Sequence, residues 1–156
     1  MQMQIKQRVF SWSDTYDVYD ESGNPRYYVR AEILALGHHI HVCRTDTGEE
    51  VGAIHLRLLT LLPKFDIEIG GQIVGTVSRE LSLFRPRYVV DFKDWDVEGD
   101  MFEWNYSVCH KGMEVMSIRK EWLTWGDTYV LDYRNPAFEI PGLMIVLAID
   151  AANCED

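Results

Sequence analysis

Positive charge is scarce in this sequence: 15 lysines and arginines face 25 aspartates and glutamates, for a formal net charge of −10. No basic run offsets that balance, so the chain repels phosphate backbones and nucleic-acid binding is not expected. Anionic membrane surfaces are disfavoured in the same way unless the cations gather on one face. Cysteine is scarce too. Cys43, Cys109 and Cys154 are odd in number, far apart and without a C-x-x-C pair, which favours isolated thiols over disulfides or a zinc site.

Other absences narrow the function. The first eight residues, Met1 to Arg8, lack the apolar core of a signal peptide, so a cytoplasmic location is the expectation. Asn105-Tyr106-Ser107 matches a glycosylation acceptor, a pattern that carries meaning only in a secreted protein. There is no G-x-S-x-G, H-E-x-x-H or G-x-x-x-x-G-K-[ST], and no cysteine beside a plausible base. A protein without catalysis and without a cofactor is therefore expected. A site assembled from distant strands would leave no local motif, and that keeps an enzyme as the remote alternative.

What the chain does contain is one continuously apolar stretch. From Leu143 to Ile149 every side chain is apolar, between Pro141 and Asp150. A helix here has no polar face and must be surrounded on all sides. Pro141 suits the first helical turn, where its missing N–H has no partner to lose. A membrane span is the rival reading, and a run ending at Asp150 falls short of the roughly 20 residues a bilayer needs, so stable insertion is not expected.

Everything before that stretch reads as strand and turn. A unit of one bulky apolar residue, three mostly polar or turn residues, then apolar-x-apolar recurs from positions 12, 36, 61, 84, 102 and 125. The first and last copies share Trp, then Asp-Thr-Tyr, at Trp12 and Trp125. Turn signals follow most copies, at Ser22-Gly23-Asn24-Pro25, Asp46-Thr47-Gly48, Gly70-Gly71 and Lys111-Gly112. Each unit reads as a hairpin, so about six hairpins give about twelve strands. The expectation is one mainly β domain over residues 1–156, with strands over about 8–138 and a helix over about 141–152. The sheet curls into a closed antiparallel barrel, and the buried apolar helix takes the place of its side-chain core.

The segment from Leu58 to Phe65, the Trp95 to Asp100 stretch, the Trp125-Gly126-Asp127-Thr128-Tyr129 turn and the closing Val146 to Asp150 together resemble the LURP-one-related family. That family groups with tubby C-terminal domains and phospholipid scramblases, and the resemblance covers nearly the whole chain. It implies a barrel of about twelve strands around a central apolar helix. Tubby-like domains bind phosphoinositides through a basic patch, while scramblase-like relatives are proposed to act on lipids. Many members of the LURP-one-related branch have no known activity.

Three clusters are candidate sites. Asp94, Asp96, Glu98 and Asp100 alternate along one stretch; with Gly99 they match the first, third and sixth positions of a calcium loop, but Asn105 stands where its closing Glu belongs. The plain alternative is a solvated acidic hairpin with Trp95 and Val97 packed inward. If Ile40 pairs with Ile54, both inward, then His39 faces His55 and His41 lies beside them outside, a set that could bind a transition metal or sense pH. With no carboxylate placed beside them, the alternative is a solvated surface row. Lys64, Arg79, Arg85 and Arg87 flank neighbouring connections and are the best counterpart to a phosphate-binding patch. The five tryptophans, Trp12, Trp95, Trp104, Trp122 and Trp125, read as core and barrel ends.

The leading expectation is a non-catalytic binding or scaffold domain, recognising a phosphorylated lipid head group or a protein partner on its outer face. A scramblase-type protein whose terminal helix enters the membrane is the alternative.

Overall fold

The computed structural model describes residues 1–6, 15–34, 37–57, 60–80, 83, 87–101, 103–123 and 126–154. The strands are β1 (Gln2–Lys6), β2 (Thr15–Asp20), β3 (Pro25–Leu34), β4 (Gly37–Arg44), β5 (Glu50–Leu56) and β6 (Lys64–Ile69). They continue with β7 (Gln72–Glu80), β8 (Arg87–Phe92), β9 (Trp95–Asp100), β10 (Asn105–His110), β11 (Met113–Leu123) and β12 (Gly126–Tyr133). A 3-10 turn at Pro136–Phe138 leads into one helix, α1 (Glu139–Cys154).

All twelve strands form one antiparallel sheet in the order β8-β7-β6-β5-β4-β3-β2-β1-β12-β11-β10-β9. Its two ends, β8 and β9, are consecutive in the chain and joined by a tight turn at Lys93–Asp94, so the barrel is nearly closed. The two-residue loops repeat one geometry. Lys93 with Asp94, Gly70 with Gly71 and Lys111 with Gly112 all take positive φ, which matches the right-handed twist of the flanking strands.

Each repeat leads into an even-numbered strand, β2, β4, β6, β8, β10 or β12, although the positions that open copies 12, 36, 84, 102 and 125 lie outside the described residues. Four copies continue into an odd-numbered strand as a hairpin, β2–β3, β4–β5, β6–β7 and β10–β11, while the copy at β8 turns into β9 without joining it in the sheet ladder. The sixth does neither: β12 runs on to the helix, and β1 supplies its second neighbour, with Gln2 opposite Asp132 and Ile5 opposite Tyr129. The strand region thus starts at Gln2 rather than near residue 8. The signal for β1 is short but plain, since Met3 and Ile5 alternate with polar neighbours and both are buried.

Alternation sets the core. Val42, Ile54, Ile67, Val77, Val108, Ile118 and Leu131 point inward and are essentially inaccessible. Against them lies α1, in which Leu143 to Ile149 are each no more than 2% exposed, so the helix is enclosed on every side as its sequence requires. The barrel wall makes room for it. At Gly52 on β5 an added Cβ would sit 2.7 Å from the Met144 sulfur and 3.0 Å from the Glu68 carbonyl.

Counted with its 3-10 turn, the stretch Pro136–Asn153 is long and apolar enough to cross a bilayer by length and composition. The length argument from the sequence is corrected here; burial, not shortness, is what places the helix inside. Trp95 and Trp104 are buried, as expected for core and barrel ends. Trp12 and Trp125 lie outside the described residues.

Candidate functional site

Strand direction sorts the connections between two rims. The tight turns gather at one rim with the start of α1. The odd-to-even connections and the helix C-terminus gather at the other. At this second rim the β5–β6 and β7–β8 connections carry Leu61 and Leu83, exposed by 93% and 96%. The two connections are neighbours: the Arg79 N–H donates to the Pro63 carbonyl at 3.0 Å, and Lys64 stands opposite Ser78.

Lys64, Arg79 and Arg87 all reach this rim, but not as one patch. Phe65 points inward, so Lys64 points outward, whereas Arg79 shares the inner face of Val77 and stands opposite Tyr88. The Tyr88 hydroxyl reaches the Ala152 carbonyl at 3.5 Å. A cation at that position is favourably placed against the negative end of the helix dipole. Arg87 stands opposite Glu80, and Arg85 lies outside the described residues.

The acidic stretch is drawn out rather than gathered. Asp94 sits in the β8–β9 turn, while Asp96, Glu98 and Asp100 run along β9 opposite Cys109, Ser107 and Asn105. Carboxylates two residues apart on a strand stand about 7 Å apart along an extended backbone, which does not curl around a point as a calcium loop does. Trp95 is buried and Val97 half-buried, as the hairpin reading requires. Among the described residues no three histidine, cysteine, aspartate or glutamate side chains converge as a ready metal-binding group.

The histidines do meet. Ile40 pairs with Ile54 and His39 with His55, the register implied by the sequence. His39 Nδ1 lies 2.5 Å from His55 Nδ1, with ring centroids 4.8 Å apart. His55 Nε2 lies 2.9 Å from the Glu68 carboxylate on β6. His41 is drawn away instead. Its Nδ1 contacts Glu50, its Nε2 lies 3.6 Å from Glu32, and its ring centre is 6.4 Å from that of His55. The structure brings together two imidazoles, not three, and the expectation of no neighbouring carboxylate is corrected by Glu32, Glu50 and Glu68. Burial, then His55 and His41, holds the His39 pKa below the usual imidazole value, against the opposing pull of Glu32.

Two groups with no local motif hold the ends of α1. At its start, the nearly buried Glu139 carboxylate pairs with Arg26 and accepts from the Tyr27 hydroxyl at 3.1 Å. Glu139 also raises the Arg26 pKa. Toward its end, Asp150 keeps some surface as a residue, yet protein crowds its carboxyl, and that burial pushes its pKa up to about 7. The buried Tyr106 hydroxyl has no hydrogen-bond partner among the described residues; burial, then Asp150, pushes its pKa well up.

These features define a helix-filled antiparallel barrel with one loop-bearing rim and one polar row on its outer wall. The LURP-one-related family profile matches residues 1–149, and the chain belongs to that family. It is 30% identical over 155 residues to the uncharacterised protein YxjI of Bacillus subtilis (strain 168), covering 97% of this chain and 94% of that one. The X-ray structure of the Arabidopsis thaliana protein AT5G01750 shares the fold with a TM-score of 0.64, at 15% identity over 96% of this chain and 90% of that chain.

Proposed function

We propose that the protein is a non-catalytic binding domain that docks through its loop-bearing rim on a membrane surface carrying phosphorylated lipid head groups. The observation that carries this reading is the pair of nearly fully exposed leucines, Leu61 and Leu83, on neighbouring connections. Leucine tips beside a cation are what an interfacial anchor needs: the apolar ends enter the acyl boundary while Lys64 meets phosphate. Screening confines the repulsion of distant carboxylates to about 8 Å in physiological salt, so the net charge of −10 does not oppose a local contact at the rim.

The test is sedimentation with liposomes of phosphatidylcholine alone or with a phosphoinositide, across a salt series. Binding should require the phosphoinositide, weaken as salt rises, and be lost on Leu61→Asp with Leu83→Asp and on Lys64→Glu. Binding unchanged in both variants would refute the rim as the docking surface.

A second reading, in which α1 enters the bilayer, is favoured by the length and apolarity of Pro136–Asn153. The Glu139–Arg26 pair and the enclosure of Leu143 to Ile149 favour retention in the barrel.

A further inference from the structure

We propose that His39 and His55 form a two-imidazole chelate for a borderline divalent transition ion, Cu2+ or Zn2+, on the outer wall of β4 and β5, with water completing the coordination shell. Two nitrogen lone pairs cannot face each other at 2.5 Å, so one of these atoms carries a proton that the other accepts. Glu68 decides which. Its carboxylate, 2.9 Å from His55 Nε2, holds a proton on that nitrogen and leaves His55 Nδ1 as the acceptor for His39 Nδ1–H.

An ion takes the place of that shared proton. At about 2.0–2.1 Å from each nitrogen and a tetrahedral angle, it sets the two nitrogens about 3.3 Å apart. The rings then part by less than about 1 Å, which side-chain rotation supplies without moving the strands. His39 Nδ1 gives up its proton as Nε2 takes one from solvent, so the neutral ring changes tautomer and no net proton is released. Glu68 stays on the far nitrogen of His55, where a carboxylate orients a metal-bound imidazole and raises its basicity.

The neighbours are committed elsewhere. Asp66, opposite His55, bonds Arg57 at 2.6 Å, and His41 is held between Glu50 and Glu32. The protein therefore supplies two ligands, consistent with no group of three converging among the described residues.

The experiment is calorimetric titration of protein free of any histidine tag with Cu2+ or Zn2+ alone, with thermal melts to check folding of each variant. One ion should bind per chain. His39→Gln and His55→Gln should each lose about tenfold or more in affinity, Glu68→Gln should lose about 10–100-fold, and His41→Gln should bind as the wild type does. Affinity unchanged in His39→Gln with His55→Gln, or reduced as much by His41→Gln as by His39→Gln, would show only adventitious capture by surface imidazoles and overturn the proposal. Electron paramagnetic resonance of the wild-type Cu2+ complex tests the same geometry independently. Coupling to two imidazole nitrogens supports the chelate and coupling to one refutes it.

Discussion

Arg26 at the start of β3 and Glu139 in the first turn of α1 are 113 residues apart in the chain, and their side chains close on one another at the rim of the tight turns. Arg26 keeps 44% of its side chain exposed while Glu139 keeps 8%, so the two partners are not equivalent. Removing Arg26 strands a buried carboxylate; removing Glu139 strands the Tyr27 hydroxyl.

Arg26→Ala is expected to destabilise the protein by about 1–3 kcal/mol, below the usual cost of breaking a fully buried pair because water reaches the arginine. Urea unfolding measures it. A loss under a few tenths of a kcal/mol would show that the pair does not hold the helix.

Ile145 lies in the middle of α1 and is fully inaccessible. Ile145→Asp places an unpaired carboxylate there and should cost several kcal/mol, enough to unfold a domain of ordinary stability. Ile145→Ala leaves only a cavity and should cost about 2–5 kcal/mol. Wild-type stability of Ile145→Asp in the same assay would contradict enclosure of the helix.

Asp150 sets a pH dependence whose sign is fixed by its pKa of about 7 in the folded chain against about 3.9 in the unfolded one. Between those values the folded state holds a proton that the unfolded state has released. The contribution to stability is therefore complete below about pH 4 and lost as pH rises through 7. Asp150→Asn removes this slope. Melts between pH 5 and pH 8 should show the variant gaining on the wild type as pH rises, and parallel curves would count against a desolvated carboxyl.

Gly75 on β7 packs against the next strand so closely that an added Cβ would meet the Asp91 carbonyl at 2.5 Å. Backbone cannot swing aside as a flexible side chain can. Gly75→Ala should cost about 1–3 kcal/mol and loosen β8, read as faster amide exchange along Arg87–Phe92.

Much of this architecture is legible in the residues. The repeat marks the even-numbered strands, the Ile40–Ile54 pairing places His39 opposite His55, and the apolar run of α1 demands a surrounding wall. What the sequence hides, it hides for physical reasons. Glu68 lies on a third strand, one hairpin beyond the histidines, and a pairing argument that stops at two strands cannot see it. The carboxylates from Asp94 to Asp100 resemble a cluster because sequence spacing does not distinguish a loop that curls from a strand that extends. Glu139 reads as no more than a boundary of the apolar run. Its partner Arg26 becomes visible only when the barrel returns β3 to the foot of the helix. Leu61 reads as the apolar residue opening a repeat and Leu83 as part of a short connection, since their exposure is a property of the closed sheet.

The place of β1 between β2 and β12 bears on how the molecule is made. A ribosome delivers β1 before the other strands and α1 after them. Until α1 emerges, eleven or twelve strands are present with nothing to wrap, and β1 waits for a neighbour about 125 residues downstream, as the Ile5–Tyr129 pairing shows. Such distant contacts close slowly, and until then the inward-facing rows of the wall stay wet. The nascent chain thus stays an unfinished shell until α1 is free of the ribosome, and completion comes in one late step.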